Sequence, residues 1–377
     1  GECIRVCPHH AKKARYDHLS VLEGWKYKIA IPAPALFGQF NNLDDIDIVL
    51  TGLKQMGFDD VYEVSRGAEL VSDATRKLMA DGRLPKPVIS SACPAVVRLI
   101  RVRFPDLCDH VLNLNAPMEV SAMMAKRAAS ERTGIPVEEI GAFFITPCPA
   151  KVTDIKMPIG TEGSWCDGAI AISEVFPLLS HRMDKLETVE PIGQSGLIGV
   201  SWAGSGGESA ALLNEKYLAA DGIENVIRVL EELEDERIRE LDFVELNACS
   251  GGCVGGVLCV ENGYVAKARL QRLRKYLPVS QNHLDGGVPR DMEWTEPLEF
   301  APVLKLSQNL EEAMQMMEEI DVICEGLPGL DCGSCGAPSC RALAEDVVKG
   351  VARTSDCVFV MREQVKNVAD TLSSIGG

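Results

Sequence analysis

Short apolar segments alternate along the chain with longer amphipathic ones. The apolar segments predict strands at Lys28–Ile31, Val88–Ser90, Ala142–Ile145 and Phe243–Leu246. The amphipathic stretches between them predict helices, including one that Pro117 opens and Gly134 ends, which are the usual places for proline and glycine at helix ends. Strands separated by helices favour an α/β fold with parallel sheets.

The same pattern divides the chain into segments of different character. We expect a lead at 1–24, the α/β region at 25–300, a connecting helix at 301–325, a cysteine-bearing segment at 326–360 and a helical tail at 361–377. Because the chain begins at Gly1, inside a cysteine motif, it is expected to be part of a longer protein.

The charge and the hydropathy of the chain limit the kinds of partner that it can bind. Lys and Arg total 38 and Asp and Glu total 55, for a formal net charge of −17. An acidic surface repels phosphate backbones, so we expect no nucleic-acid partner. No apolar run reaches the roughly 18 residues of a membrane span, and no signal peptide is evident. The expectation is a cytoplasmic protein with no membrane partner.

The cysteine content changes the picture, because the chain has 14 cysteines. Most of them fall in tight groups with Gly and Pro, unlike the evenly spaced cysteines of short secreted disulfide scaffolds. Such groups are typical of metal ligands. We therefore expect a reducing and anaerobic compartment, since exposed metal clusters oxidise.

Three cysteine loops directly follow predicted strands. Cys93 follows the second strand, Cys148 the third, and Cys249 with Cys253 the fourth. Since the carboxyl ends of parallel strands meet at one edge of a sheet, the four thiolates are expected to converge. Four thiolates suit an iron–sulfur cluster or zinc. The alternative, that each cysteine is a small apolar core residue, suits one such loop better than three.

These loops resemble the loops of the iron-only (FeFe) hydrogenase large subunit. Ser90-Ser91-Ala92-Cys93-Pro94 is similar to T-S-C-C-P, Thr146-Pro147-Cys148-Pro149-Ala150-Lys151 to M-P-C-x-x-K, and Ala248-Cys249-Ser250-Gly251-Gly252-Cys253-Val254-Gly255-Gly256 to M-A-C-x-x-G-C-x-x-G-G-G. Their order and separation also match, over roughly residues 25–280. The resemblance implies a two-lobed parallel-sheet H-cluster domain flanked by small iron–sulfur segments.

The resemblance also implies roles for individual residues. Cys93, Cys148, Cys249 and Cys253 would bind a 4Fe–4S cluster, and Cys253 would bridge to a di-iron unit with CO, cyanide and dithiolate ligands. Lys151 would donate a hydrogen bond to a cyanide; the alternative is an ordinary surface lysine. Ala33-Pro34-Ala35 resembles the family's A-P-S segment beside the dithiolate. The implied reaction is the reversible conversion of H2 to protons and electrons.

The proton-handling positions depart from the family pattern. Ala92 stands where catalytic members have a second, proton-relaying Cys, Thr146 and Asn247 where they have Met, and Met118 where they have Gln. The family's acidic pair is not evident after Gly67-Ala68-Glu69, and Asp73 is the nearest acid. These departures resemble the sensory hydrogenases, which carry a C-terminal cluster domain and a downstream signalling module. We therefore expect slow hydrogen turnover.

Two further cysteine groups flank this region. Cys332, Cys335, Cys340 and Cys357 resemble the small 4Fe–4S domain with the pattern C-G-x-C-G-x-x-x-C; zinc is the alternative, although zinc ribbons usually pair two C-x2-C knuckles. Cys3 and Cys7, before Pro8, resemble the back half of a bacterial ferredoxin motif. Because the upstream ligands are missing, unligated thiols are the simpler interpretation for Cys3 and Cys7 in this chain.

The remaining cysteines and the tail carry weaker signals. Cys108, Cys166, Cys259 and Cys324 have no evident partners and are predicted to be buried, with Cys166 the candidate for a substitute proton carrier. The tail residues Met361, Val365, Val368, Leu372 and Ile375 are spaced 4, 3, 4 and 3, as in a heptad seam. The seam predicts either a homodimer or a helix packed on its own domain.

Two classes of function follow. The leading hypothesis is a hydrogen-sensing or slow hydrogenase that exchanges electrons between the central site and the C-terminal cluster. Its partners would be H2, a redox partner or ferredoxin, and a downstream signalling domain or kinase. The alternative is a non-catalytic hydrogenase-like protein, in cluster assembly or electron transfer, that keeps the cysteine ligands without the di-iron unit.

Overall fold

A computed structural model of the chain describes residues 1–8, 11–302, 306–307 and 309–375, with the backbone alone for residue 2 and for 372–375. It separates into two compact units, Gly1–Ala301 and Pro302–Gly377. The finer boundaries after residues 24, 325 and 360 stay predictions. No helix within the described residues is long and apolar enough to cross a membrane.

The strands of the larger unit form two parallel sheets. They are β1 (Tyr27–Pro32), β2 (Asp60–Val61), β3 (Val88–Ile89), β4 (Ile140–Thr146), β5 (Gly168–Ala171), β6 (Tyr217–Asp221) and β7 (Phe243–Asn247). The first sheet has the order β2-β1-β4-β5 and the second the order β3-β7-β6. All five strand pairings are parallel. The predicted α/β fold with parallel sheets is confirmed.

The helices fall in the intervals that the sequence pattern predicts. The larger unit contains α1 (Glu2–Val6), α2 (Ile46–Lys54), α3 (Val64–Ala80), α4 (Pro94–Arg103), α5 (Pro117–Thr133), α6 (Pro149–Lys156), α7 (Ile172–Met183), α8 (Leu197–Ser201), α9 (Gly207–Ala211), α10 (Ile223–Glu234) and α11 (Gly263–Leu273). The smaller unit contains α12 (Leu310–Glu325), α13 (Cys340–Val348) and α14 (Val358–Ile375). Gly134 ends α5 in the left-handed conformation, as predicted.

Both faces of the first sheet are buried. Phe143 and Ile145 pack with Leu50 on one face, whereas Ala142 and Phe144 pack against the opposite face. All seven residues of β4 are buried, as expected of a central strand in a parallel sheet covered by helices. The strand ends are therefore the part of this sheet that can form a site.

The carboxyl ends of four strands lead directly into the loops of the predicted site. In the first sheet the neighbours β1 and β4 lead into Ala33 and into the Cys148 loop. In the second sheet the neighbours β3 and β7 lead into the Cys93 loop and the Cys249 loop. Because the strands in each sheet are parallel, the loops leave from the carboxyl edges, where ligands bind in such folds.

The smaller unit has a core of its own, which includes Ile320, Leu343 and Cys357. In α14, Met361, Val365 and Val368 are 49%, 64% and 60% exposed. These three seam residues are therefore not packed on the unit's own core, contrary to one of the two sequence-based alternatives. The other two seam residues, Leu372 and Ile375, lie outside the described side chains, and the homodimer stays a prediction.

Candidate metal centre

The loops at the ends of these four strands enclose a cavity. Its lining includes the predicted site residues Ala33, Pro34, Ala35, Ala92, Cys93, Met118, Lys151, Asn247 and Cys253. Most other lining side chains are apolar, such as Val64, Phe144 and Leu246. The predicted residues Cys148, Cys249 and Thr146 are outside the lining. The structure thus brings most of the predicted site residues together in one largely apolar pocket.

The four predicted cluster thiols are close enough to affect one another's charge. Burial raises the pKa of Cys253; Lys151 lowers it, and Cys148, Cys93 and Cys249 raise it further. Burial, with the charges of Cys148 and Cys93, also raises the pKa of Cys249 to about 12. Thiols in such surroundings stay protonated unless a metal binds and deprotonates them. The donor set therefore fits a soft, thiolate-ligated cluster.

Cys93 and Cys148 have the same local structure, although they follow strands of different sheets. Each is the N-cap residue of a helix, α4 or α6, whose first residue is proline. The positive end of a helix dipole therefore lies at each thiol and favours a negative charge there. Thr146 holds the second loop in place, because its hydroxyl accepts a hydrogen bond from the Cys148 N–H at 3.1 Å.

The Cys148 loop and the Cys249–Cys253 loop are in backbone contact. The N–H of Leu258 donates to the carbonyl oxygen of Pro147 at 3.1 Å. A Cβ at Gly256 would lie 2.3 Å from that same oxygen. Only glycine can occupy this position at this separation, so the glycines after Cys253 allow the two ligand loops to meet.

Lys151 is the one cation in the described lining of the cavity. It is only 9% exposed, and its Nζ donates to the carbonyl oxygen of Ala92 at 3.1 Å. Lys151 is therefore not an ordinary surface lysine. Since an ammonium has three N–H donors, the group can also bind an anionic ligand inside the pocket.

Two buried carboxylates, Glu208 of α9 and Glu245 of β7, also line the cavity, and neither of them was predicted from the sequence. The Ser90 hydroxyl lies 2.8 and 2.7 Å from the two carboxylate oxygens of Glu208. The same hydroxyl accepts the N–H of Ala92 at 3.1 Å. Glu208 is thus connected through Ser90 to the position where a relay cysteine was expected.

Glu245 differs from Glu208 in its hydrogen bonds. It accepts the backbone N–H groups of Gly206 and Ser209 and the side-chain amide of Asn247, each at 2.9 Å. Three donors stabilise a negative charge on Glu245. Burial and that nearby charge raise the pKa of Glu208 to about 8, although Ser90 and Lys151 lower it. Glu208 therefore favours its protonated form at neutral pH.

Two other candidates lie elsewhere. Cys166 packs in the core beside Met118 and is not part of the cavity lining, and burial raises the pKa of its thiol well above the usual value. These facts argue against Cys166 as a substitute proton carrier. Asp73 accepts the backbone N–H of Leu284 at 2.9 Å and pairs with Arg76 and Lys77, so it has a structural role outside the pocket.

Of the remaining cysteines, Cys108 is buried like Cys166, whereas Cys259 and Cys324 are half-buried. Cys3 is exposed and Cys7 half-buried. The helix α1, which contains Cys3 and ends just before Cys7, contacts the loop that follows Cys253, because the Arg5 guanidinium donates to the carbonyl oxygen of Gly255. Whether Cys3 and Cys7 bind a cluster stays a prediction.

The second predicted metal centre lies in the smaller unit. Cys335, Cys340 and Cys357 belong to or pack against its core, and Cys332 is exposed. Among the described residues, no three His, Cys, Asp or Glu side chains form a group that could hold a single metal ion. A zinc ion gathers four ligands at about 2.0–2.3 Å, whereas a 4Fe–4S cluster is held by four thiolates around a larger body. The choice between a cluster and zinc at these four cysteines stays a prediction.

Comparisons with known families agree with both centres. The family model described as "Iron only hydrogenase large subunit, C-terminal domain" matches residues 26–217 and 208–257. A second model, described as "Putative Fe-S cluster", matches residues 327–359.

Curated relatives include hydrogenases and assembly factors. The chain is 22% identical to the NADP-reducing hydrogenase subunit HndD of Solidesulfovibrio fructosivorans, over 68% of this chain and 54% of that protein. It is 20% identical to iron hydrogenase 1 of Clostridium pasteurianum, over 59% of this chain and 46% of that protein. The cytosolic Fe-S cluster assembly factor nar1 of Aspergillus terreus is 30% identical over 26% of this chain and 16% of that protein. The chain thus spans about half the length of the two hydrogenases.

Solved structures share the fold. A variant of the [FeFe]-hydrogenase HydA1 from Chlamydomonas reinhardtii superposes with a TM-score of 0.58 at 17% identity, covering 74% of this chain and 95% of that chain. At this identity the likeness establishes the architecture alone, and the chemistry has to be argued from the residues of the cavity.

The buried carboxyl of Glu208 should be visible by infrared spectroscopy. We expect a protonated carboxyl C=O band that disappears as the pH rises, with a midpoint near pH 8, because the raised pKa keeps the group protonated below that value. The band should be absent from Glu208→Gln and present in Glu224→Gln, which changes an exposed glutamate of α10. Loss of the band with a midpoint of about pH 4.3, the ordinary pKa of a glutamate carboxyl, would contradict the assignment.

The smaller unit should bind its own cluster. Changing Cys332 and Cys335 together to Ala should remove about four irons per chain, as expected for a four-thiolate cluster. The measurement is iron and zinc content of anaerobically purified protein. Cys324→Ala, which changes a half-buried thiol of the same unit, is the matched control and should keep its iron. One zinc per chain at this site would contradict the prediction.

Proposed function

The chain belongs to the family defined by the C-terminal domain of the iron only hydrogenase large subunit, and on that premise we propose that it is a hydrogen-sensing or slow hydrogen-activating hydrogenase. The observation that carries the proposal is the cavity in which a ligand cysteine, Cys253, a buried cation, Lys151, and a proton-bearing carboxyl, Glu208, meet. A site that activates H2 needs a bound metal, stabilisation of its ligands and a proton carrier; Cys253 would hold the metal, Lys151 would stabilise an anionic ligand and Glu208 would carry the proton.

In this proposal Cys93, Cys148, Cys249 and Cys253 hold a 4Fe–4S cluster, and Cys253 also holds a di-iron unit in the pocket. When bound, the di-iron unit supplies the Lewis acid and the base that split H2. The apolar lining, which includes Ala33 and Pro34, excludes water from it. Lys151 offers a charged N–H donor to an anionic ligand, an interaction that is strong in a dry pocket.

The carboxylate pair is the proposed proton carrier. Ala92 has a methyl side chain and can neither accept nor donate a proton. The Ser90 hydroxyl, which accepts the Ala92 N–H, lies within hydrogen-bond distance of Glu208. Glu208 can exchange its proton with Glu245, because either carboxyl of a close pair can hold the one proton that they share. The proposed route therefore enters at the Ser90 hydroxyl, which lines the cavity beside Ala92, and runs from there to the pair.

The smaller unit completes the proposal. Its four cysteines would bind a 4Fe–4S cluster that exchanges electrons with a ferredoxin or another redox partner. The exposed residues Met361, Val365 and Val368 of α14 support a homodimer through the tail. Through that helix a downstream signalling domain or kinase would receive the redox state of the site.

A second candidate is a non-catalytic protein of cluster assembly or electron transfer without the di-iron unit. The specific observation in its favour is the 30% identity to the nar1 assembly factor, although this likeness covers 26% of the chain. The two candidates differ in one property, because CO and cyanide ligands accompany only the di-iron unit.

Infrared spectroscopy of matured, anaerobically purified protein separates the candidates. We expect CO and cyanide bands in the wild type and none in Cys253→Ala, because that thiol holds the di-iron unit. Cys259→Ala is the matched control, since Cys259 is a half-buried thiol next to the same loop, 3.8 Å from the Cys253 carbonyl oxygen, and it should keep the bands. A wild type without these bands after maturation would favour the second candidate.

The proton carrier can be tested by turnover. Glu208→Gln should lower hydrogen oxidation and evolution by about 10² to 10⁴, the usual contribution of a positioned acid–base group. Ala92→Cys should raise the wild-type rate and restore part of the rate lost in Glu208→Gln, because the thiol is a second proton carrier. Infrared spectra of each variant should confirm equal loading with the di-iron unit.

Glu119→Gln is the control for this measurement. Glu119 is a half-buried carboxylate that accepts hydrogen bonds from the Ser164 hydroxyl and the Trp165 N–H, and it is outside the cavity lining. Its variant should keep the wild-type turnover. Equal turnover in the wild type and Glu208→Gln would show that protons leave by another route.

A further inference from the structure

We propose that the larger unit has a second binding site, a surface cleft that takes a small anion carrying carboxylate or phosphate groups. The cleft has a volume of about 450 Å³ and lies between α8, the Gly204–Gly207 loop and α11. It shares no lining residue with the cavity of the metal centre. Neither the hydrogenase chemistry nor the cluster ligands account for it.

The charge of the cleft is opposite to that of the chain. Its described lining contains two cations, Lys267 and Arg274, and no acidic residue, in a chain whose net charge is −17. Both cations are half-buried. The hydrogen bonds that the structure shows for them go to neutral oxygens, the Ser205 carbonyl at 3.3 Å and the Ser201 hydroxyl at 3.0 Å. Among the residues that the structure describes, no carboxylate forms an ion pair with either cation.

The other two cations of α11 differ from these two. Arg269 pairs with Glu261 and Arg272 with Asp44, so each has an acidic partner. Lys267 and Arg274 retain further N–H donors, since an ammonium has three and a guanidinium five. Two half-buried, unneutralised cations in one cleft favour an anion with two charges, because charge-assisted hydrogen bonds are the strong ones.

The side of the cleft opposite α11, which the Gly204–Gly207 loop forms, leaves room for such a ligand. Its residues are small, and a Cβ at Gly206 would meet no atom within 4 Å. The backbone N–H groups of this loop already have acceptors. The Ser205 N–H donates to the Gly251 carbonyl oxygen and the Gly206 N–H to the Glu245 carboxylate. Recognition of the anion therefore falls to the side chains of Lys267 and Arg274.

The same loop connects the cleft to the proton carrier. Gly206 lines the cleft, and its N–H donates to Glu245 at 2.9 Å. The helix α9, which begins at the next residue, carries Glu208. A bound anion would add negative charge behind this loop and favour the protonated form of the pair. This consequence rests on the proposed function, whereas the binding itself does not.

Isothermal titration calorimetry on the full chain tests the site, with pyrophosphate and succinate as probes for the phosphate and carboxylate sources. We expect one of them to bind with one site per chain and to weaken as salt is added. Lys267→Gln and Arg274→Gln should each weaken binding at least about tenfold, the usual loss for a charged hydrogen bond. Lys275→Gln, an exposed cation outside the cleft, should bind within about twofold of the wild type.

Charge-retaining variants guard against a folding defect. Lys267→Arg and Arg274→Lys should keep most of the affinity that the glutamine variants lose. Two results would overturn the proposed site. One is an affinity that is unchanged in both glutamine variants, and the other is the failure of both probes to bind at millimolar concentration. Because the titration needs no di-iron unit, a failed hydrogenase proposal would leave this result standing. A Glu208 carboxyl band that does not change with a bound probe would overturn the connection to the proton carrier.

Discussion

The backbone contact between two ligand loops is the constraint on which the metal centre depends. The Cys148 loop comes from the first sheet and the Cys249–Cys253 loop from the second, and they meet where Gly256 approaches the Pro147 carbonyl. A side chain there would force the loops apart and separate the thiols. The two-sheet architecture, with its strand ends leading to one place, serves to make this contact possible.

The second constraint is the charge that a dry pocket can hold. Burying an unpaired charge is expensive, and the cavity contains one cation and two carboxylates. Three N–H donors satisfy Glu245, while Glu208 keeps its proton and needs no counter-charge. A carboxyl that stays protonated near neutral pH for this reason is also a suitable proton carrier. The same desolvation thus explains both the stability of the pocket and its proposed chemistry.

The acids of α3 have become structural in this chain. Glu69 accepts the N–H groups of Gly196, Gln281 and Asn282, and Asp73 accepts that of Leu284. These hydrogen bonds hold two loops against α3, one at Gly196 and one at 281–284. A carboxylate committed to several backbone donors is poorly placed to carry protons, which favours Glu208 of α9, whose hydrogen-bond partner is the Ser90 hydroxyl, over Glu69 as the carrier.

The sequence by itself determined four of the seven described strands, the parallel fold and the cysteine loops, because an apolar run followed by Cys-Pro or Cys-x3-Cys is a local pattern; β2, β5 and β6 lack such a pattern and were not predicted. Only the tertiary structure brought Glu208 and Glu245 into the cavity and placed Cys166 outside it. Glu245 interrupts a predicted strand, a signal that could have been noticed, but Glu208 follows an ordinary glycine-rich loop. Ser90 and Glu208 are 118 positions apart, and their contact depends on how α9 packs beside β7. No local periodicity encodes such a contact, since burial and charge at one site depend on what the rest of the chain places around it.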